Sequence, residues 1–286
     1  MYVKGVLLCL PIIASSALSA QLSNVSCPAP SVLNTLVVKA QLPNRTPTPY
    51  ASVREADIMS EKWIWRTIDM REKMNQPYYY PFEPSNNRAN LLSVIYCGIA
   101  AGKITPYKPI AGDGFEVEMT KEEAFSIGSS VDSTQYPDLY NPDIMHDTVI
   151  FRELDPKDVM EYHIKEIWFF DRQRSMMDVR IIGICPVRYV YGSDGEFRGN
   201  QEMFWLYFPQ LRNVLAIYQY FNRFNNVGIL SYDDVFAKRM FSSYIYKESN
   251  VYDRTITDYS AGMDAMMESE RIKHDMINNE QDLWDW

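Results

Sequence analysis

The sequence predicts an α+β fold, an antiparallel β-meander packed with several amphipathic helices. Three observations lead there. Residues 161–209 hold three consecutive strand-like runs joined by short polar turns. The flanking segments repeat apolar residues at spacings of three and four and begin with helix-capping signals. Strands and helices do not alternate in the way that builds a parallel sheet.

The three runs are "HIKEIWFFDRQ", "SMMDVRIIGICPVRYV" and "QEMFWLYFP". In the middle one, Met177, Val179, Ile181, Gly183, Cys185, Val187 and Tyr189 fall on one uncharged face, which predicts contact with a core. Asp178, Arg180, Ile182, Ile184, Pro186, Arg188 and Val190 fall on the other. That face is charged at both ends and apolar at Ile182 and Ile184, so its centre is expected to be covered. Arg172–Ser175 and Gly192–Gly195 supply the turns, the second through an Asp-Gly pair that tolerates positive φ. The outer runs are apolar on both faces. Such a sheet needs packing on both sides, from the chain's own helices first and from a neighbouring protein second.

The chain has 286 residues, 47% of them hydrophobic, enough for one large folded domain or two small ones. Residues 1–20 read as an export signal. Lys4 is followed by a short apolar run and by Ala17-Leu-Ser-Ala20, which predicts cleavage before Gln21. Later runs are too short to span a bilayer, so the mature protein is expected to be exported with no direct membrane insertion. A formal net charge of −9 argues against nucleic acid and anionic headgroups as primary ligands. Of Cys9, Cys27, Cys97 and Cys185, the last three survive processing. Cys97 and Cys185 sit in apolar runs and read as core residues. A Cys97–Cys185 bridge is compatible with export, and the sequence leaves it open.

Residues 21–51, with prolines at 28, 30, 43, 47 and 49, predict a flexible or loosely bound arm, or a tether for a partner. Residues 52–75 predict an amphipathic helix, with Ser52 and Glu55 as a capping box and Asp69–Lys73 as an i,i+4 pair. In a helix Trp63 and Trp65 diverge, so one of them should be exposed. A second helix is expected over about 87–101, closed by Gly102. Residues 103–118 predict a short strand and a loop, and Thr120 with Glu123 caps a short helix. The polar stretch 128–147 predicts an internal boundary or a long surface loop. Asp155-Pro156 opens a brief helix. Later helices are expected after Pro209, at Ser231–Asp234, and in the last stretch, whose apolar side is Ile256, Tyr259, Met263, Met266 and Met267.

Catalytic and metal signatures are absent from the sequence. The three histidines, His146, His163 and His274, are far apart, and there is no HExxH, Cys-x-x-Cys, GxSxG or phosphate-cradling glycine loop. Acidic pairs such as Glu122-Glu123 read as capping and solvated charges. A carboxylate-based hydrolase or a glycan- or peptidoglycan-binding module built on the many aromatics is the alternative to a structural subunit.

Four separated motifs, "WIWRTIDMREKMNQPYYYP" (63–81), "KEIWFFDRQRSMMDVRIIGICPV" (165–187), "FWLYFPQLRNVLA" (204–216) and "RMFSSYIYKESNVYDRTI" (239–256), resemble the GldN/PorN family of gliding-motility and type IX secretion proteins. The resemblance runs over roughly 52–286, and Ile167 stands where many relatives carry an acidic residue. It implies a non-enzymatic periplasmic subunit with no cofactor. It further implies assembly into a ring with a GldK/PorK-type outer-membrane lipoprotein, and contact with a GldM/PorM-type inner-membrane motor protein. The candidate partner-contact residues are Trp63, Trp65, Ile182, Ile184, Trp284 and Trp286.

Overall fold

A long, mostly antiparallel sheet carries the molecule. The structure is a computed structural model and describes residues 27, 45–84, 88–109, 114–127, 129–137, 145–152, 154–192, 195–223 and 230–284, with 130–152 described as backbone alone. The expected signal, most of the arm and Trp286 lie outside the described residues.

Residues 52–75 do not form the expected helix. A 3-10 turn (Glu55–Asp57) leads into strand β1 (Ile58–Asp69). Apolar residues on both sides of a strand mimic a spacing of three and four. What decides is that the ladder with the meander runs from Ile58↔Asp171 to Asp69↔Glu161, where Ile, Trp and Thr suit a pleated, two-sided surface. The Ser52–Glu55 box is accordingly absent. Asp69 binds Arg71, with Nη2–Oδ2 at 2.6 Å, in place of Lys73.

Helices α1 (Gln76–Tyr79) and α2 (Leu91–Ala100) follow. The Asn90 side chain caps α2, and Gly102 takes φ +68 after it, as the sequence predicts. Strand β2 (Pro106–Tyr107) precedes α3 (Lys121–Ser126), whose Thr120–Glu123 capping box is formed. Part of the expected loop at 128–147 is instead an antiparallel ladder. Strands β3 (Ser130–Pro137) and β4 (Met145–Arg152) pair from Ser130↔Arg152 to Pro137↔Met145.

The meander is β5 (Val159–Asp171), β6 (Met176–Tyr191) and a third run divided into β7 (Phe197–Glu202) and β8 (Trp205–Tyr207), both paired with β6. Helix α4 (Phe208–Leu215) begins at once, with Pro209 in its first turn. Two short strands, β9 (Gln219–Tyr220) and β10 (Leu230–Ser231), lead to α5 (Tyr232–Ala237), capped by the Ser231–Asp234 box. Strand β11 (Tyr244–Glu248) and helix α6 (Met263–Trp284) end the fold. The sheet order is β11-β1-β5-β6-β8-β2.

Two face assignments are corrected. In β6 the register passes from Glu166↔Ile181 to Lys165↔Gly183, so Ile182 has no partner on β5. This β-bulge swaps the faces. Ile181 and Ile184 both enter the main core, beside Ile164, and Cys185 turns to the opposite side. In α6, Met263, Met266 and Met267 are 73%, 69% and 66% exposed, and the inner face is Ser269, Ile272 and Met276. Gly262, at φ +60, separates α6 from the 3-10 turn that buries Ile256. The apolar side therefore does not run continuously through both.

Helices α2, α4 and α5 cover one face of the sheet through Ile95, Ile99, Leu211, Leu215, Val235 and Phe236. Farther along that face α6 seals Ile64 and Ile245 with Ile272 and Met276. The described end of the arm docks on the chain itself. Arg45 meets Asp234 at 2.7 Å, and Tyr50 lies beneath Arg212, 4.2 Å from guanidinium to ring centre. Arg212 is buried with Asp233 (Nε–Oδ1 2.7 Å) and donates to the Thr48 carbonyl at 2.6 Å. A disulfide joins Cys27 to Cys97 and Cys185 is free, so the Cys97–Cys185 pairing does not occur.

Candidate interaction surface

The other face of the sheet carries no helix among the described residues. Its centre follows from register. Trp63 and Trp65, two residues apart on β1, share one side, and Trp65 stands opposite Lys165 of β5. The Lys165 ammonium lies 4.7 Å from the Trp63 ring centre and 5.6 Å from that of Trp65, and Lys247 of β11 lies 4.7 Å from Trp65. Two ammonium groups thus sit among indole faces, whose ring quadrupoles attract a cation.

The loop after β2 brings Phe115, held at φ +54, onto this face. Its ring meets Tyr107, Tyr207 and Trp205 edge-on, with centroids at 5.5, 5.8 and 6.4 Å. Gly183 makes room for it, since a Cβ there would stand 2.6 Å from Phe115 Cζ. Beneath, Cys185 is wholly buried, and that burial pushes its thiol well above the usual range, so it stays protonated and unreactive. Glu202 faces His163 Nδ1 at 2.8 Å and accepts from Trp205 Nε1 at 3.3 Å. The His163 ring packs 4.5 Å from Tyr246.

Trp63 is half-buried and its Nε1 donates to Glu61 at 3.0 Å, while Trp65 is 8% exposed. The structure therefore brings these two predicted contacts together. Ile182 sits at the bulge, half-buried. Ile184 is 0% exposed and offers no surface to a partner. Trp284 is the last residue of α6, its side chain outside the described part, as is all of Trp286. Sequence reasoning missed Lys165, Lys247, Phe115 and Trp205. Reading 58–69 as a strand would have exposed the Trp63/Trp65 pairing, but the lysines needed the register. An aromatic surface of this kind, with fixed charge between its rings, is suited to recognition.

Among the described residues, no group of three or more His, Cys, Asp or Glu is placed to hold a metal ion, and no helix is long and apolar enough to cross a membrane. The sequence model of the family described as "Gliding motility associated protein GldN" matches residues 53–285. Comparison with curated proteins returns no match.

Proposed function

Since the chain belongs to the GldN family of gliding motility associated proteins, part of the gliding-motility and type IX secretion machinery, we propose that it is a non-enzymatic periplasmic subunit. It assembles with a GldK/PorK-type outer-membrane lipoprotein into a ring and meets a GldM/PorM-type motor protein of the inner membrane. The observation that carries this reading is the family match over residues 53–285. The half-open aromatic face gives it a physical surface: burying Trp63 under a partner would remove apolar area from water at a site already rigid.

The test is the native mass and shape of residues 21–286, alone and co-expressed with the lipoprotein, by light scattering after gel filtration and negative-stain imaging. A stable complex that grows into rings is expected. A folded monomer indifferent to the lipoprotein, but retained by purified cell-wall material, would replace this reading with a glycan-binding one. Trp63→Ala is expected to leave the monomer folded and to weaken the lipoprotein complex about tenfold or more, as loss of an interface tryptophan does.

A further inference from the structure

Strand β11 pairs with β1 at one end of the sheet order and leaves it through a loop, residues 249–254, that adjoins the aromatic face. The Ser249 amide donates to the Trp63 carbonyl at 3.0 Å. Lys247, which lies over Trp65, pairs with Asp253 at 2.6 Å. The loop is braced from within. Asn250 Nδ2 donates to the carbonyls of Glu248 and Arg254 at 2.9 and 2.8 Å. Its Oδ1 accepts from the amides of Tyr252 and Arg254 at 3.1 and 3.2 Å. Both donors and both acceptor positions of that amide are thus in use. Asp253 turns the chain at φ +50. Arg254 stacks on Tyr252 and on Tyr259, at 4.9 and 4.5 Å from the ring centres. In the middle of this frame Val251 is 98% exposed and Tyr252 76%.

One apolar side chain in water needs no explanation. Two adjacent ones on a loop so firmly held are different, because the bonds that shape the loop also keep them from folding inward. Valine is stiff at χ1 and tyrosine has only two torsions, so both have little freedom to lose on contact. A branched aliphatic group has no ring face for a sugar to stack on. Asp253, 84% exposed beside the pair, repels an anionic headgroup. What fits is an apolar recess on a protein. Its place follows from distance. Two residues of chain, at most about 7 Å, separate Val251 from Ser249 on the Trp63 carbonyl, whereas a partner surface of ordinary size, about 800 Å², reaches about 16 Å from its centre. A partner centred on Trp63 therefore reaches Val251 as well. We propose that Val251 and Tyr252 are a second anchor of the contact that buries Trp63, entering an apolar recess on the same partner protein. The inference deepens the ring-subunit reading and rests on it for the identity of that partner, the lipoprotein.

The test is titration of the purified lipoprotein into residues 21–286, unaltered and carrying Val251→Ser with Tyr252→Ser. Both side chains stand in solvent, so the unfolding midpoint of the double variant should match that of the parent. Its affinity for the lipoprotein is expected to fall about tenfold or more, as for loss of an interface anchor. Unchanged affinity, with the unaltered chain bound, would overturn the inference and leave the subunit reading standing. An unaltered chain that ignores the lipoprotein would remove that reading and the proposed contact together. Two further outcomes would name a different partner. A double variant that binds the lipoprotein normally but no longer grows into rings would assign the loop to a second copy of this chain. Retention of the unaltered chain on phosphatidylethanolamine–phosphatidylglycerol vesicles, lost in the double variant while lipoprotein affinity is kept, would assign it to the membrane. Either result makes the proposed occupant wrong.

Discussion

Gly183 is where one missing carbon shapes a surface. A methyl group there would strike Phe115 at 2.6 Å and Trp205 at 3.2 Å, so Gly183→Ala should cost about 1–3 kcal/mol as an overpacked site. Chemical denaturation would measure it, and the loss should shrink in a Phe115→Ala background, since neighbours that share a contact do not add. Ile184→Ala should cost roughly 2–5 kcal/mol as a cavity in the main core, and Ile184→Asp should leave no cooperative unfolding transition. Alternation along β6 puts Ile184 on a coverable outer face, and so pointed it the wrong way. An unpaired residue at a bulge changes no letter of the pattern, so only pairing with β5 reveals that Ile182 is skipped. Trp63 and Trp65 were found as contact candidates because tryptophan is conspicuous anywhere. Their common face depends on the backbone state of β1.

Capping was the most legible chemistry among the elements, because a cap is written in four consecutive residues. Thr120 with Glu123 and Ser231 with Asp234 form the boxes that the sequence spells, and Ser231→Ala should cost about 1 kcal/mol in a denaturation series. β1 was illegible for the opposite reason: its state is decided by strands about a hundred residues downstream. The β5–β6 turn carries a pH dependence. The Arg174 guanidinium, donating to Asp171, outweighs burial and holds that carboxyl below its usual range; Glu268 beside Arg271 is likewise depressed. In the unfolded chain these groups titrate near pH 4. A depressed folded value means that the stabilisation is present above pH 4 and is lost as pH falls through the folded value. Urea midpoints should therefore drop between pH 5 and pH 3, and the drop should be smaller in Asp171→Asn.

For the molecule as a whole, the α+β class and the meander were readable from period and turn chemistry. The sheet order was not. Placing β11 beside β1 joins residues about 180 apart through backbone bonds that leave no local trace. The opposite fates of the two sheet faces, one sealed by helices and one left aromatic and half-open, follow from that order. The disulfide was equally hidden, since three cysteines allow several pairings. It closes a 70-residue separation, and loop-closure entropy sets its worth at about 4 kcal/mol. Cys97→Ser, or reduction of the parent chain, should lower the thermal midpoint accordingly, while reductant should leave the Cys97→Ser protein unchanged.

That bridge also decides where tension enters. A pull on the chain upstream of residue 27 crosses to Cys97 through sulfur and bears on the middle of α2, within the enclosed body of the protein. The segment from 28 to 96, with β1 inside it, is bypassed as a load path. Strand β1 is therefore not peeled from its free end, and traction is spread over the helix-covered core, like a rivet set through the body of a plate.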